Sequence, residues 1–224
     1  MSTLTPHQGS DARATCPNLT NGDVINLLIN TGREFYRRGW VLGTSGNFSA
    51  TTSDAPLRLI ITASGLDKGS LFPDNFVEID HDAKVVMGES RPSAEAALHL
   101  AIVRQVRAGA VFHTHSVWST LLSDFYATAG GVNLVGHEML KGLARVSTHE
   151  HSEWVPILQN SQDYGALSAE VSDQLKRFPK SHGILLRKHG LYTWGKDILE
   201  ARRHVEIFEF LFEIVGRQRL AGIL

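Results

Sequence analysis

Helix-spaced apolar positions alternate with short β-like runs along this chain. From Asp23 to Arg38, Val24, Leu27, Leu28, Thr31 and Phe35 fall on one helical face, and Gly39 supplies a stop. A loop follows at Gly43-Thr44-Ser45-Gly46-Asn47. Leu57–Thr62 reads as a strand, and Ala63 to Gly69 as a polar loop. Phe76–Asp80 and Lys84–Met87 form a predicted hairpin around His81-Asp82-Ala83. Ser93 is placed to cap a helix running through Arg107, with Ala97, Leu98, Ala101 and Ile102 inward. Ala110–His115 is a predicted strand, and Val117–Tyr126 a helix. Val132–Val135 is a short strand, His137–Leu143 a helical or looped turn, and Trp154–Leu158 a strand. Tyr164–Arg177 is helical. Gly183–Arg187 and Leu191–Trp194 are strands around Lys188-His189-Gly190. A last helix spans Ile198–Leu220, with Val205, Phe208, Phe212 and Val215 on its apolar stripe.

Helices interspersed with short strands imply an α/β or α+β layered domain, with helices covering a central sheet. The long helical patterns argue against an all-β cupin. The pattern does not give the strand order. The chain's 224 residues suit one domain with a sizeable core, expected over residues 21–224 behind a loose leader at 1–20. A net charge of −1 makes no electrostatic case for nucleic acid or an anionic membrane. No apolar run is long enough to span a bilayer. The one cysteine, Cys16, cannot close a disulfide within the chain, in keeping with a reducing, cytoplasmic setting.

His113-Thr114-His115 carries the strongest chemical signal. Side chains two apart on a strand share a face, so two imidazoles would project together toward a divalent metal. His189, before Gly190 in a turn, is a candidate third ligand or an ordinary turn histidine. Three histidines would leave a coordination position open to substrate. The loops at Ser45-Gly46-Asn47 and Ser64-Gly65, and the helix start at Ser93, offer N–H groups and hydroxyls suited to a phosphate. Lys68 and Arg91 would add charge, yet each loop alone also reads as a plain turn. Glu95 and Glu138 are candidate proton-transfer groups or helix-start acids. His149-Glu150-His151 imitates the first pair in a polar stretch. His99 reads as packed or exposed, His137 as an outer partner of the metal site. His182 and His204 carry no specific signal.

Together, Gly43-Thr44-Ser45-Gly46-Asn47, Ile61-Thr62-Ala63-Ser64-Gly65, Arg91-Pro92-Ser93-Ala94-Glu95, His113-Thr114-His115-Ser116 and Lys188-His189-Gly190 resemble the class II aldolase/adducin-like superfamily. The likeness runs from about Asp23 to Leu220. It implies a three-layer sandwich with a mainly antiparallel central sheet flanked by helices. It also implies a homotetramer with one Zn2+ per subunit near a subunit boundary. His113, His115 and His189 would be the zinc ligands. Ser45, Gly46, Asn47, Ser64, Gly65 and Ser93 match phosphate-binding positions, and Glu95 matches the catalytic glutamate of sugar-phosphate aldolases. Those aldolases commonly carry two serines before that glutamate, whereas Ala94 stands here. That departure leaves Glu95 between a metal-shell role and none. Gly136–Leu143, with Arg187–Gly195, resembles a branch that removes water from a phosphorylated ketose, in which Glu138 would be the acid/base residue. The alternatives are a sugar-phosphate aldolase or epimerase, and a non-catalytic adducin-like interaction domain.

Overall fold

The computed structural model describes residues 19–223; Cys16 and nearly all of the expected leader lie outside them. The elements follow in chain order as α1 (Asn21–Arg37), β1 (Asn47–Asp54), β2 (Leu57–Thr62), β3 (Phe76–Asp80), β4 (Val85–Met87) and α2 (Ala96–Val106). Next come β5 (Ala110–Thr114), α3 (Val117–Phe125), β6 (Gly131–Val135) and β7 (Ser152–Leu158). The chain ends through α4 (Tyr164–Arg177), β8 (Gly183–Leu186), β9 (Gly190–Gly195) and α5 (Ile198–Leu220).

The strands make one sheet in the order β4-β3-β2-β1-β5-β9-β8-β7-β6. Neighbours are antiparallel except β7 and β8. Helices cover both faces, so the expected three-layer, mainly antiparallel architecture is the observed one. On one face Leu59, Ile61, Val77, Ile79 and Val111 pack under α2 and α4. On the other, Phe48, Ile60, Ala110 and Phe112 pack under α1 and the start of α5. The body of α5 and the inner side of α3 cover Leu185 and Leu191. Alternation along β5 thus sends Val111 and His113 to the α2 side and Phe112 and Thr114 to the α5 side.

Two boundaries near the histidines and one whole strand differ from the sequence reading in ways that bear on the site. The helix expected from Ser93 begins at Ala96, with Glu95 at its N-cap position and no side-chain cap bond there. The ligand strand ends at Thr114, so His115 lies beyond it. The apolar pattern does not predict β1. Its Asn47 and Ser49 are buried among polar partners while Phe48 and Ala50 enter the apolar core, so its alternation is hidden by inward-facing polar residues. Local signals elsewhere are ordinary. Thr20 accepts from Asp23 N–H at 3.2 Å while Asp23 accepts from Thr20 N–H at 2.9 Å, closing a capping box on α1.

Candidate metal centre and active site

The sheet brings the three expected histidines together. Asn47 on β1 and Tyr192 on β9 flank His113 in register. His115 continues past the strand, pinned by its N–H donating to Trp40 O at 2.8 Å. His189 arrives in the β8–β9 turn. Gly190 fits there because a Cβ would collide with Thr114 O, so the turn can press against the ligand strand only without a side chain. Gly46 is required for the same reason, since its Cβ would meet His113 O at 2.7 Å, and its φ is +75°.

His115 Nε2 lies 2.7 Å and His189 Nε2 3.2 Å from His113 Nε2. His113 Nδ1 donates to Leu191 O at 2.9 Å, and His189 Nδ1 to Asn160 Oδ1 at 3.1 Å. Neutral rings protonated at Nδ1 have bare Nε2 lone pairs, and here those lone pairs converge. That arrangement repels itself unless a cation lies among them, so the residues fit a divalent metal. The outer bonds to Leu191 and Asn160 are of the kind that orient metal-binding imidazoles. Burial lowers the pKa of all three rings, that of His115 to about 2, so they stay neutral and competent as ligands near neutrality. Tyr192 stacks on His113 with centroids 3.9 Å apart and fixes the ring plane.

Glu95 reaches the same cluster, with Oε2 3.4 Å from His113 Nε2 and Oε1 3.5 Å from His189 Nε2. A buried relay aims it. Ser49 Oγ donates to His99 Nδ1 at 2.7 Å, His99 Nε2 donates to Asn47 Oδ1, and Asn47 Nδ2 donates to Glu95 Oε2 at 2.6 Å. Burial pushes His99 down to about 4, so it remains neutral and the relay keeps one direction. Asn47, expected to face phosphate, is committed to this relay. The sequence offered no sign of His99's part beyond its position one turn after Glu95.

The phosphate-type loops also meet. Buried Lys68 donates to Thr44 O at 3.0 Å and Leu66 O at 2.6 Å, tying the Ser45 loop to the Ser64 loop. Its pKa falls to about 8 because burial opposes its charge. Ser64 N–H donates to Arg91 O at 3.0 Å and Ser93 N–H to Thr62 O at 3.3 Å, which brings in the Ser93 segment. Ser93 Oγ accepts from Glu95 N–H at 3.2 Å, whereas the buried Ser45 Oγ has no partner among the described residues. Gly65 lies in an exposed turn with φ +73°.

Glu138 is not brought to the cluster within its own chain. It opens a 3-10 turn at Glu138–Gly142, is 73% exposed, and pairs with Lys141 Nζ at 2.8 Å and His149 Nδ1 at 3.8 Å. The hydrogen bond from Lys141 holds its carboxyl below the usual range. Three more titratable groups emerge that the sequence left unassigned. His182 and His204 flank Ala144, hydrogen-bonding its O and N–H respectively. Glu209 on α5 accepts from Thr114 Oγ1 at 3.1 Å, bracing the residue between two of the histidines. Burial raises Glu209 from 4.5 to about 7. Because the folded-state pKa is the higher one, the fold binds this proton more tightly than the unfolded chain and loses stability as pH rises from 4.5 to 7. The loss is roughly 3 kcal/mol, so unfolding in urea at about pH 5 and pH 8 should show a decline in wild type that Glu209→Gln lacks. Equal slopes in both proteins would remove Glu209 as its source.

Residues 26–215 match the model of the family described as Class II Aldolase and Adducin N-terminal domain. A protein of Stenotrophomonas maltophilia (strain K279a) named methylthioribulose-1-phosphate dehydratase is 46% identical over 192 residues, 85% of this chain and 89% of that protein. A protein of the same name from Pseudoalteromonas translucida (strain TAC 125) is 40% identical over 205 residues, 91% of this chain and 95% of its own. Among solved structures, an L-fuculose 1-phosphate aldolase is similar at TM-score 0.74 and 24% identity, covering 91% of this chain and 90% of its own. The L-fuculose-1-phosphate aldolase from Thermus thermophilus is similar at TM-score 0.72 and 22% identity, covering 92% of this chain and 100% of its own. At these identities the structural likeness speaks to fold.

Proposed function

The chain belongs to the Class II Aldolase and Adducin N-terminal domain family, and within it we propose a methylthioribulose-1-phosphate dehydratase, a zinc-dependent hydro-lyase of methionine salvage. It would convert 5-methylthioribulose 1-phosphate to 5-methylthio-2,3-dioxopentyl phosphate and water. The observation that carries the chemistry is the convergence of the three Nε2 atoms. The substrate rests on relatives of that name across most of the chain.

In this reading His113, His115 and His189 hold one zinc per subunit, and Glu95 lies beside it as a fourth donor at rest. A three-histidine set with room for substrate oxygen suits zinc. When bound, the metal supplies Lewis acidity that stabilises negative charge developing on the substrate's C2 oxygen. Ser45, Gly46, Ser64, Gly65 and Ser93 face the phosphate; the unpartnered Ser45 hydroxyl supports that placement. Asn47 acts there only through its hold on Glu95. Fixing the phosphate presents C3–H to the base. Glu138 takes the C3 proton. The C4–O bond then breaks, the hydroxyl leaves as water with a proton from a general acid, and the C3 enol ketonises to the dione.

Because Glu138 stands apart from its own cluster, it serves the cluster of a neighbouring subunit in a homotetramer. Val117, Leu121 and Phe125 form an exposed apolar stripe on α3 immediately after the ligand loop, which supports an interface beside the site. We place the enzyme in the cytoplasm; no described helix is long and apolar enough to cross a membrane. The reading is tested with zinc-loaded protein and methylthioribulose 1-phosphate, followed by mass spectrometry. Loss of one water, abolished by chelation, is expected. A cleaved carbon chain would instead make the enzyme an aldolase, the second reading favoured by the approach of Glu95 to the cluster.

A further inference from the structure

We propose that His151, Glu153 and His182 form a second divalent-cation site, of zinc-like chemistry and separate from the His113 cluster. β7 and β8 are parallel neighbours, so their starting ends lie together. His151 and Glu153 sit at the start of β7, and His182 immediately precedes β8. His189 follows the far end of β8. The four extended residues of β8, roughly 13 Å of strand, therefore lie between His182 and the turn that carries His189.

The Glu153 side chain is only 1% exposed. Its Oε1 accepts from His182 N–H at 2.7 Å. Its Oε2 lies 2.8 Å from His151 Nε2 and 3.0 Å from His182 Nδ1. His182 Nε2 lies 2.8 Å from Ala144 O and donates to it. Burial opposes a charge on His182, yet the Glu153 hydrogen bond raises its pKa overall, so a proton on Nδ1 can donate to Glu153 Oε2 while Nε2 donates to Ala144 O. A divalent cation held by all three groups would displace that Nδ1 proton and take its place between the same atoms. The spacings of 2.8 and 3.0 Å are a few tenths of an ångström shorter than the roughly 3.3 Å edge of a tetrahedron with bonds of about 2.0 Å, so a cation would spread the three groups slightly.

The surroundings are those of a prepared site. The Ala144 carbonyl that orients His182 is itself fixed, because Ala144 N–H donates to His204 Nε2 at 3.0 Å and His204 Nδ1 donates to Trp194 O at 2.7 Å. Such a carbonyl partner sets the tautomer of a metal-binding imidazole. His151 and His182 line a cavity of about 810 Å³ that also meets Lys180 and Lys196. A cation can enter there, and water or a small anion can complete its shell. Two imidazoles and one carboxylate favour zinc or a similar transition metal over calcium or magnesium, which prefer all-oxygen shells.

Chelator-stripped full-length protein is dialysed against zinc and its content measured by mass spectrometry. Two equivalents per chain are expected in wild type, one in His151→Ala and one in His115→Ala. The His115→Ala protein should also melt higher when zinc is added, and the His115→Ala/His151→Ala double variant should not. His151 is partly exposed, so its loss tests the site without emptying the core; Glu153→Gln gives the same stoichiometry by a second route. A single wild-type equivalent lost in His115→Ala would overturn the second site, as would two equivalents retained in both His151→Ala and Glu153→Gln. Zinc content reads this site whatever substrate the first cluster acts on.

Discussion

Glu138→Gln should keep its zinc and its fold while turnover falls about 10²- to 10⁴-fold, the range that loss of a positioned acid/base group produces. Glutamine preserves the shape of the side chain and removes its capacity to take a proton. The carboxylate is exposed and bonded to Lys141, so the change leaves the core untouched. In that surface setting its pKa is depressed, which makes a weak base. Packing against a neighbouring subunit would strip water from it and push the pKa back up. The proposed subunit arrangement gives a sharper test. Glu138→Gln subunits retain the histidines, and His115→Ala subunits retain the glutamate. In the proposed homotetramer, mixed assemblies of these two impaired proteins should regain part of the wild-type turnover. Normal turnover in Glu138→Gln would remove the residue from the mechanism, and inactive mixed tetramers would return it to its own chain's site.

His115→Ala should lose the metal of the first cluster and all measurable dehydration. Loss of an outer partner of a ligand costs about 10- to 100-fold in metal affinity, and loss of the ligand itself costs more. His115 is the informative choice among the three. Its backbone is held by Trp40 O and its ring is only half-buried, so removing the ring leaves the chain path in place. His113 is fully buried and stacked on Tyr192, so its removal would mix metal loss with lost packing. Zinc content and activity should fall together, with circular dichroism unchanged. A first cluster that keeps its zinc in His115→Ala would refute the ligand assignment.

The sequence by itself determined the helices, most strands and the family. Apolar spacing is a local property, and α1, α4 and α5 lie close to where Val24, Tyr164 and Val205 placed them. Ordered motifs with His113, His115 and His189 pointed to metal chemistry because ligand identity is written in residue type, and the structure brings those three rings together. β1 escaped because its polar side chains point inward to a network that exists only once α2 lies over the sheet. Tertiary structure alone decided that Glu95, His99 and Asn47 form one relay, since Asn47 stands 48 positions from Glu95 and 52 from His99 and meets them across two elements. It also decided that Glu138 is exposed and paired with Lys141 and His149, and that His151, Glu153 and His182 meet at all. Side-chain direction at a strand end depends on which strands pair and in what register, and local periodicity carries no record of that choice.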